Sequence, residues 1–228
     1  MILDVARFRQ LSAEQIAEMH FWNLQSATPL DRTLKRLTTS RHLARLERPR
    51  GGVGGGSAQF VYQLGRAGWK LTNKQGDYWA PRAANLHALA VADCFVRLNQ
   101  TARTGAFEVL DFQPEPAAHV KVGTIQLTPD AVMRLGFGQR GSGDELAYWL
   151  EVDRGTEHAD TIQDKCVRYW RAYQQWNPAE VYPLVLFVVP DAQRAQMIEQ
   201  VIKGGPEEAR QLFKVCTFDE FTTSLMEV

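Results

Sequence analysis

Three carboxylates and one lysine in the second half of the chain have the types and spacing to do chemistry. Asp130 follows Pro129 at the start of one apolar run, Glu151 and Asp153 stand two apart near the end of another, and Lys165 comes shortly after. Clustered carboxylates repel one another unless a cation neutralises them. Mg2+ or Mn2+ is the natural partner, because the ligands are hard oxygens and no soft ligand accompanies them. A metal so held activates water and stabilises charge on a phosphodiester. Lys165 would stabilise the developing negative charge or orient the nucleophile. The expected catalytic set is Asp130, Glu151, Asp153 and Lys165, with the three carboxylates as metal ligands.

Each member has a plainer alternative. Asp130 after Pro129 also suits a helix or turn cap. Asp153 suits the cap of the next helix equally well. Lys165 suits a solvated helix face equally well. Glu151 sits inside an apolar strand, where a chance surface carboxylate is less expected. His87, among apolar helix positions, reads as a core histidine. Glu108 reads as an ordinary strand carboxylate, and Asp191, after Pro190, as a helix N-cap.

The elements that must position these groups are legible. Asp130–Leu135 and Ala147–Asp153 read as two strands around the turn chemistry of Gln139–Asp144. A hairpin folded about Gly141 would put Asp130 opposite Val152. Glu151 and Asp153 would share a face, because strand side chains alternate. A helix follows, with Ile162, Cys166, Tyr169 and Tyr173 as its inner stripe. Leu184–Val189 has the unbroken apolar character of a central strand. Gln193–Ile202 reads as an amphipathic helix and Phe213–Thr217 as a closing strand. Strand–helix–strand order favours parallel crossovers here. Upstream, the sequence predicts a helix over 83–101 with Leu86, Leu89, Ala90, Cys94, Phe95 and Leu98 buried, then a strand over 107–112. An irregular strand is expected over 119–127.

The front of the chain is different in charge. Up to Ala80 twelve Lys and Arg face six Asp and Glu, a balance of +6 within a neutral whole. A basic front suggests a polyanion-binding head. Leu11–Met19 begins with Ser12 and Gln15 at capping-box spacing. After a turn, Thr28 and Pro29 open a second helix in which Leu30, Leu34 and Leu37 form the core face. Its cations would reach phosphates and guanine edges in a major groove. A strand follows over 43–48, a glycine-rich tip over 51–56 and a return strand over 58–64. That order predicts a winged helix-turn-helix whose DNA-binding residues are Arg32, Lys35, Arg36, Arg41, Arg48 and Arg50. The last two, at the root of the wing, would touch backbone or minor groove. The same cations also suit a plain solvated face.

The 228 residues suffice for one large domain or two small ones. The polar stretch 73–82 predicts a boundary, with a DNA-binding domain over 1–80 and a second domain over 81–228. The fold class expected is α/β in the mixed α+β sense. The three cysteines are scattered, without zinc or disulfide spacing, which suits a reducing, cytoplasmic compartment. Neither a signal peptide nor a bilayer-spanning run is expected.

Pro129-Asp130 followed by Glu151-Val152-Asp153 resembles the PD-(D/E)xK nuclease pattern, with Asp153 where that pattern has lysine and Lys165 as a lysine displaced onto the next helix. The whole chain resembles the replication-relaxation family. The carrying residues are the winged helix, Leu86–Val91, Pro129-Asp130, the stretch Leu150–Glu157, Lys165, Tyr169 and Val185–Asp191. The resemblance implies kinship with MobC-type plasmid relaxases and a restriction-endonuclease-like second domain. It implies metal-dependent nicking of double-stranded DNA at a nicking or origin site, in plasmid mobilisation or replication. A second copy of the chain or other mobile-element proteins are the further partners expected. The rival reading is a non-catalytic DNA-binding regulator with a degenerate nuclease fold, favoured by the absence of lysine after Glu151. A weaker third is an adaptor whose front module binds protein.

Overall fold

The computed structural model describes residues 1–46, 60–72, 74, 76–138 and 143–226. They divide into two compact units, Met1–Val96 and Arg97–Val228.

The first unit opens with α1 (Ile2–Phe8), β1 (Gln10–Ser12), α2 (Ala13–His20) and α3 (Thr28–Thr39). Then come β2 (Leu43–Arg45), β3 (Val61–Leu64) and α4 (Arg66–Leu71). The three strands form an antiparallel sheet in the order β1-β3-β2. Ser12 and Gln15 close the expected capping box at the start of α2, with Gln15 N–H donating to Ser12 Oγ at 3.1 Å and Ser12 N–H to Gln15 Oε1 at 2.8 Å. In α3, Leu30 and Leu34 are buried and Leu37 is half-buried. Its first residue is Thr28, one position earlier than a Thr28 cap would give. The glycine-rich tip, with Arg48 and Arg50, lies outside the described residues. The leading helix α1 is an element that the sequence reading did not assign. It buries Val5, Ala6 and Phe8.

Gly65 and Gly68 let α4 lie directly on the preceding backbone. A Cβ at Gly65 would strike the carbonyl oxygen of Arg41, and one at Gly68 that of His42. Gly65 N–H donates to the His42 carbonyl at 2.8 Å, and Ala67 N–H to the Arg41 carbonyl at 2.9 Å.

The helix α5 (Leu86–Ala102) begins in the first unit and ends in the second. The first unit runs to Val96. Within that unit Gln15 Nε2 donates to the Leu89 carbonyl at 2.8 Å and to Asp93 Oδ1 at 2.6 Å. The rings of Phe8 and Phe95 stand 5.3 Å apart. Leu86, expected in the core, is exposed at the first residue of α5, ahead of these contacts.

The second unit contains β4 (Glu108–Pro114), the hairpin β5 (Val120–Val122) and β6 (Ile125–Leu127), β7 (Ala131–Gly136) and β8 (Glu145–Val152). It continues with α6 (Ala159–Tyr173), β9 (Leu184–Val189), α7 (Ala192–Gly204), α8 (Glu207–Arg210), β10 (Phe213–Thr217) and α9 (Phe221–Ser224). The main sheet has the order β10-β9-β8-β7-β4. It is mixed: β4-β7 and β7-β8 are antiparallel, while β8-β9 and β9-β10 are parallel. The parallel pairs are joined through α6 and α7, as the alternation of strand and helix patterns leads one to expect. Trp149, Ile162, Tyr169, Ala172, Val185, Phe187 and Ile198 join in one core cluster. Each large apolar side chain withdrawn from water there contributes roughly 1.5–3 kcal/mol before entropy is counted. Tyr173, expected on the inner stripe of α6, is exposed, although its ring packs on Tyr182 at 5.1 Å.

Candidate acidic centre and nucleic-acid interface

The hairpin β7-β8 pairs Ala131 with Leu150. Continued by one residue, that register sets Asp130 across from Glu151. The pairing with Val152 expected from a fold about Gly141 is therefore off by one. Alternation then turns Trp149, Glu151 and Asp153 to the same face of the sheet. On that face Trp149 meets Tyr169 of α6, their rings 5.4 Å apart.

All three carboxylates are nearly closed off from water: Asp130 is 8%, Glu151 3% and Asp153 3% exposed. Burial makes each depend on a partner. Asp130 Oδ2 accepts from the Val152 N–H at 2.7 Å. Glu151 Oε1 accepts from the Tyr169 O–H at 2.6 Å, and Oε2 faces Lys165 Nζ at 2.9 Å. Lys165 Nζ also reaches Glu157 Oε1 at 2.8 Å. Asp153 Oδ1 accepts from Gly155 N–H at 2.8 Å, while Oδ2 is ion-paired with Arg194 Nε. Arg194 Nη2 then donates to the Glu157 carbonyl at 2.6 Å. One network thus runs from Tyr169 through Glu151, Lys165, Glu157 and Arg194 to Asp153.

The contact of Lys165 with Glu151 follows from its helix position. It lies one turn before Tyr169, so both side chains share a face of α6. The sequence gives Glu157 and Arg194 no site role, and Tyr169 a core one alone. The helical spacing of Lys165 and Tyr169 is a signal that would have found the tyrosine. Nothing local marks Arg194, which reaches Asp153 from 41 residues away.

Lys165 is ion-paired with Glu151 and Glu157, and Arg194 with Asp153. The Glu151 carboxyl is pushed up to about 7, by burial first and by Asp130 second, against the pull of Lys165 and Tyr169. Burial works against the charge of Lys165, but Glu151 and Glu157 outweigh it and hold the ammonium above its ordinary range. Tyr169 is held well above the usual tyrosine value by burial and by Glu151, so its hydroxyl stays a donor. Cys166 is pushed up to about 12 by burial, then by Glu151, which keeps it a thiol.

Carboxylate oxygens are suitable donors for Mg2+ or Mn2+, yet this set does not fit a divalent ion as it is folded. Among the described residues no group of three or more His, Cys, Asp and Glu is placed to hold a metal ion. The expected three-carboxylate convergence reduces to Asp130 and Glu151. Asp153 is turned to Arg194, and the ammonium of Lys165 stands against Glu151.

In the first unit, Arg32, Lys35, Arg36 and Arg41 are all exposed. On α3 the first three lie opposite the face of Leu30 and Leu34, as 3.6-residue periodicity requires. With Thr39 and Ser40 they line one shallow depression. Among the described residues none of these four cations has an acidic partner within ion-pair distance.

Among the described residues no helix is long and apolar enough to cross a membrane. No curated protein matches the chain. No solved structure matches it. Residues 3–185 match the family described as Replication-relaxation, which takes in the first unit and the second as far as the start of β9. Such membership suggests a role in plasmid replication or relaxation. The chain belongs to the replication-relaxation family.

Proposed function

We propose that this protein binds double-stranded DNA through α3 and acts in replication or relaxation with a nuclease-like second unit whose acidic centre is closed by the chain's own cations. The observation that carries the reading is the row Arg32, Lys35 and Arg36 on α3, exposed and, among the described residues, without acidic partners. Its setting supports it. The order α1-β1-α2-α3-β2-β3 with the sheet β1-β3-β2 is that expected of a winged helix, and α3 is its recognition helix. The succession α5-β4-β7-β8-α6-β9 around a mixed sheet is consistent with a restriction-endonuclease-like body and with kinship to MobC-type relaxases. Under this reading the division of labour matches the two units, with DNA gripped by the first.

The partner ions of Asp153 and Glu151 favour a scaffold over a metal-dependent nickase. Lys165 and Arg194 already neutralise charge that a metal would otherwise balance. One observation favours the catalytic reading as the second: Glu151, whose carboxyl is raised by burial first and by Asp130 second, lies beside that carboxylate. In that reading Asp130 and Glu151 hold Mg2+ or Mn2+ once Lys165 moves away.

Binding of labelled duplex, together with incubation of supercoiled plasmid with Mg2+ or Mn2+, separates the two. The proposal expects salt-sensitive duplex binding without metal-dependent nicking. Nicking that disappears in Asp130→Asn and Glu151→Gln, with duplex binding retained, establishes the nickase instead. Absence of duplex binding overturns both.

A further inference from the structure

The first unit carries a second basic surface, built on α4 and the segment after it. Two neighbouring cavities, of about 510 and 480 Å³, share Trp69 and Lys74 in their walls. The larger is lined by Arg66, Lys70 and Lys74 against a single carboxylate, Asp77, with Trp69 and Tyr78 between them. Trp79, 74% exposed, lines the other.

The aromatic rings are held at their polar ends. Trp69 Nε1–H donates to the Gly76 carbonyl at 3.3 Å, and the Tyr78 O–H donates to the Leu64 carbonyl at 3.2 Å. The two rings meet edge to face with centroids 6.1 Å apart. The Arg66 guanidinium stands 5.9 Å from the Tyr78 ring, and the Lys74 ammonium 5.8 Å from the Trp69 ring. Lys74 also donates to the Ala6 carbonyl at 2.9 Å, which fixes its place. Arg66 and Lys70 are exposed, and among the described residues neither is ion-paired.

Cations that can follow a phosphate chain, interleaved with aromatic side chains on which bases stack, are the chemistry of single-strand recognition. A duplex offers only phosphates to such a surface, because its bases are stacked on one another. We propose that Arg66, Lys70 and Lys74 with Trp69, Tyr78 and Trp79 form a site for unpaired nucleotides of a DNA strand, separate from the duplex-gripping face of α3. The cations take the phosphates. The exposed Trp79 and the anchored pair Trp69 and Tyr78 take the bases. A protein of replication or relaxation equipped this way holds an opened strand beside the duplex it recognises. The site does not depend on α3 binding duplex.

The test is fluorescence anisotropy with the full chain and a labelled single-stranded oligothymidine of roughly twelve nucleotides, within the usual range of single-strand site sizes. An abasic strand of the same length and a labelled duplex run alongside. The proposal expects oligothymidine to bind at least about tenfold more tightly than the abasic strand. Trp79→Ala and Lys70→Ala each weaken oligothymidine by about tenfold and leave duplex affinity within about twofold. The variant Arg32→Ala/Lys35→Ala/Arg36→Ala does the reverse. Equal binding of abasic and thymidine strands overturns the proposal, since charge alone then suffices. So does oligothymidine binding that both Trp79→Ala and Lys70→Ala leave intact, with circular dichroism confirming that the variants fold. Loss of duplex binding with retained oligothymidine binding supports this site while overturning the role given to α3.

Discussion

The ammonium of Lys165 lies 2.9 Å from Glu151 Oε2, inside a unit where both groups are largely withdrawn from water. Neither charge is tolerable there alone, so the pair must be read as a whole. Removing one partner of a buried pair costs roughly 3–5 kcal/mol, because the other is left uncompensated. Lys165→Met is therefore expected to lower the unfolding free energy by about 3 kcal/mol at pH 8. The loss is smaller at pH 5, where Glu151 takes a proton instead. The double variant Lys165→Met/Glu151→Gln recovers most of it. Urea unfolding at both pH values checks all three statements.

The raised Glu151 carboxyl has its own signature. Its folded value is about 7 against an ordinary 4.5. Between those values the folded chain holds a proton that the unfolded chain has released. The contribution of this group to stability is complete below about pH 4.5 and is lost as pH rises through 7. Glu151→Gln keeps an acceptor for Tyr169 and removes the titration. Relative to wild type, this variant gains on the order of 2 kcal/mol between pH 5 and pH 8. Unfolding free energies measured across that window check the sign. A gain that falls with rising pH contradicts the assignment.

Asp153 and Arg194 form the second ionic anchor, and here the expected role is structural. Arg194→Met leaves Asp153 buried, with the Gly155 N–H as the one partner of its carboxylate among the described residues. A loss of about 3 kcal/mol is expected, and Asp153→Asn in the same chain restores part of it. A double-mutant cycle by thermal or urea unfolding measures the coupling, which should exceed about 1 kcal/mol. Additive losses contradict a direct partnership.

Metal response follows from the same geometry. With Lys165 in place, Mn2+ at millimolar concentration leaves the melting temperature of the wild type unchanged. Lys165→Ala removes the internal cation and exposes Asp130 and Glu151 to an external one, so that variant is stabilised by Mn2+. The response grows as pH rises past about 7, since Glu151 must be ionised to bind a cation. Differential scanning fluorimetry with and without Mn2+ reads both chains. A wild type stabilised by Mn2+ favours the nickase reading.

Much of this was legible in the residues and some was not, for physical reasons. Ser12 and Gln15 announced the start of α2, because a capping box is local. The apolar run Leu184–Val189 announced a central strand for the same reason. Hairpin register is less local. A glycine-rich turn admits more than one centre, and a shift of one residue moved Asp130 from Val152 to Glu151. The fate of Asp153 was not readable at all, since its partner Arg194 is brought in by a crossover helix. The pairing of Lys165 with Glu151 is not legible in the sequence, which places the lysine only near the carboxylates, and the spacing of Tyr169 marks it as core alone. The tyrosine is in fact both, with its ring against Trp149 and its hydroxyl on Glu151.

Duplex binding by α3 is tested most directly through its salt dependence. Each phosphate neutralised by a cation contributes about −0.9 to the slope of log affinity against log salt concentration. Wild type and Arg32→Ala/Lys35→Ala/Arg36→Ala are compared on one labelled duplex across a salt series. The variant is expected to bind at least about tenfold more weakly near physiological salt, with a slope shallower by about 2 to 3. Equal affinity and an unchanged slope in a correctly folded variant would contradict it.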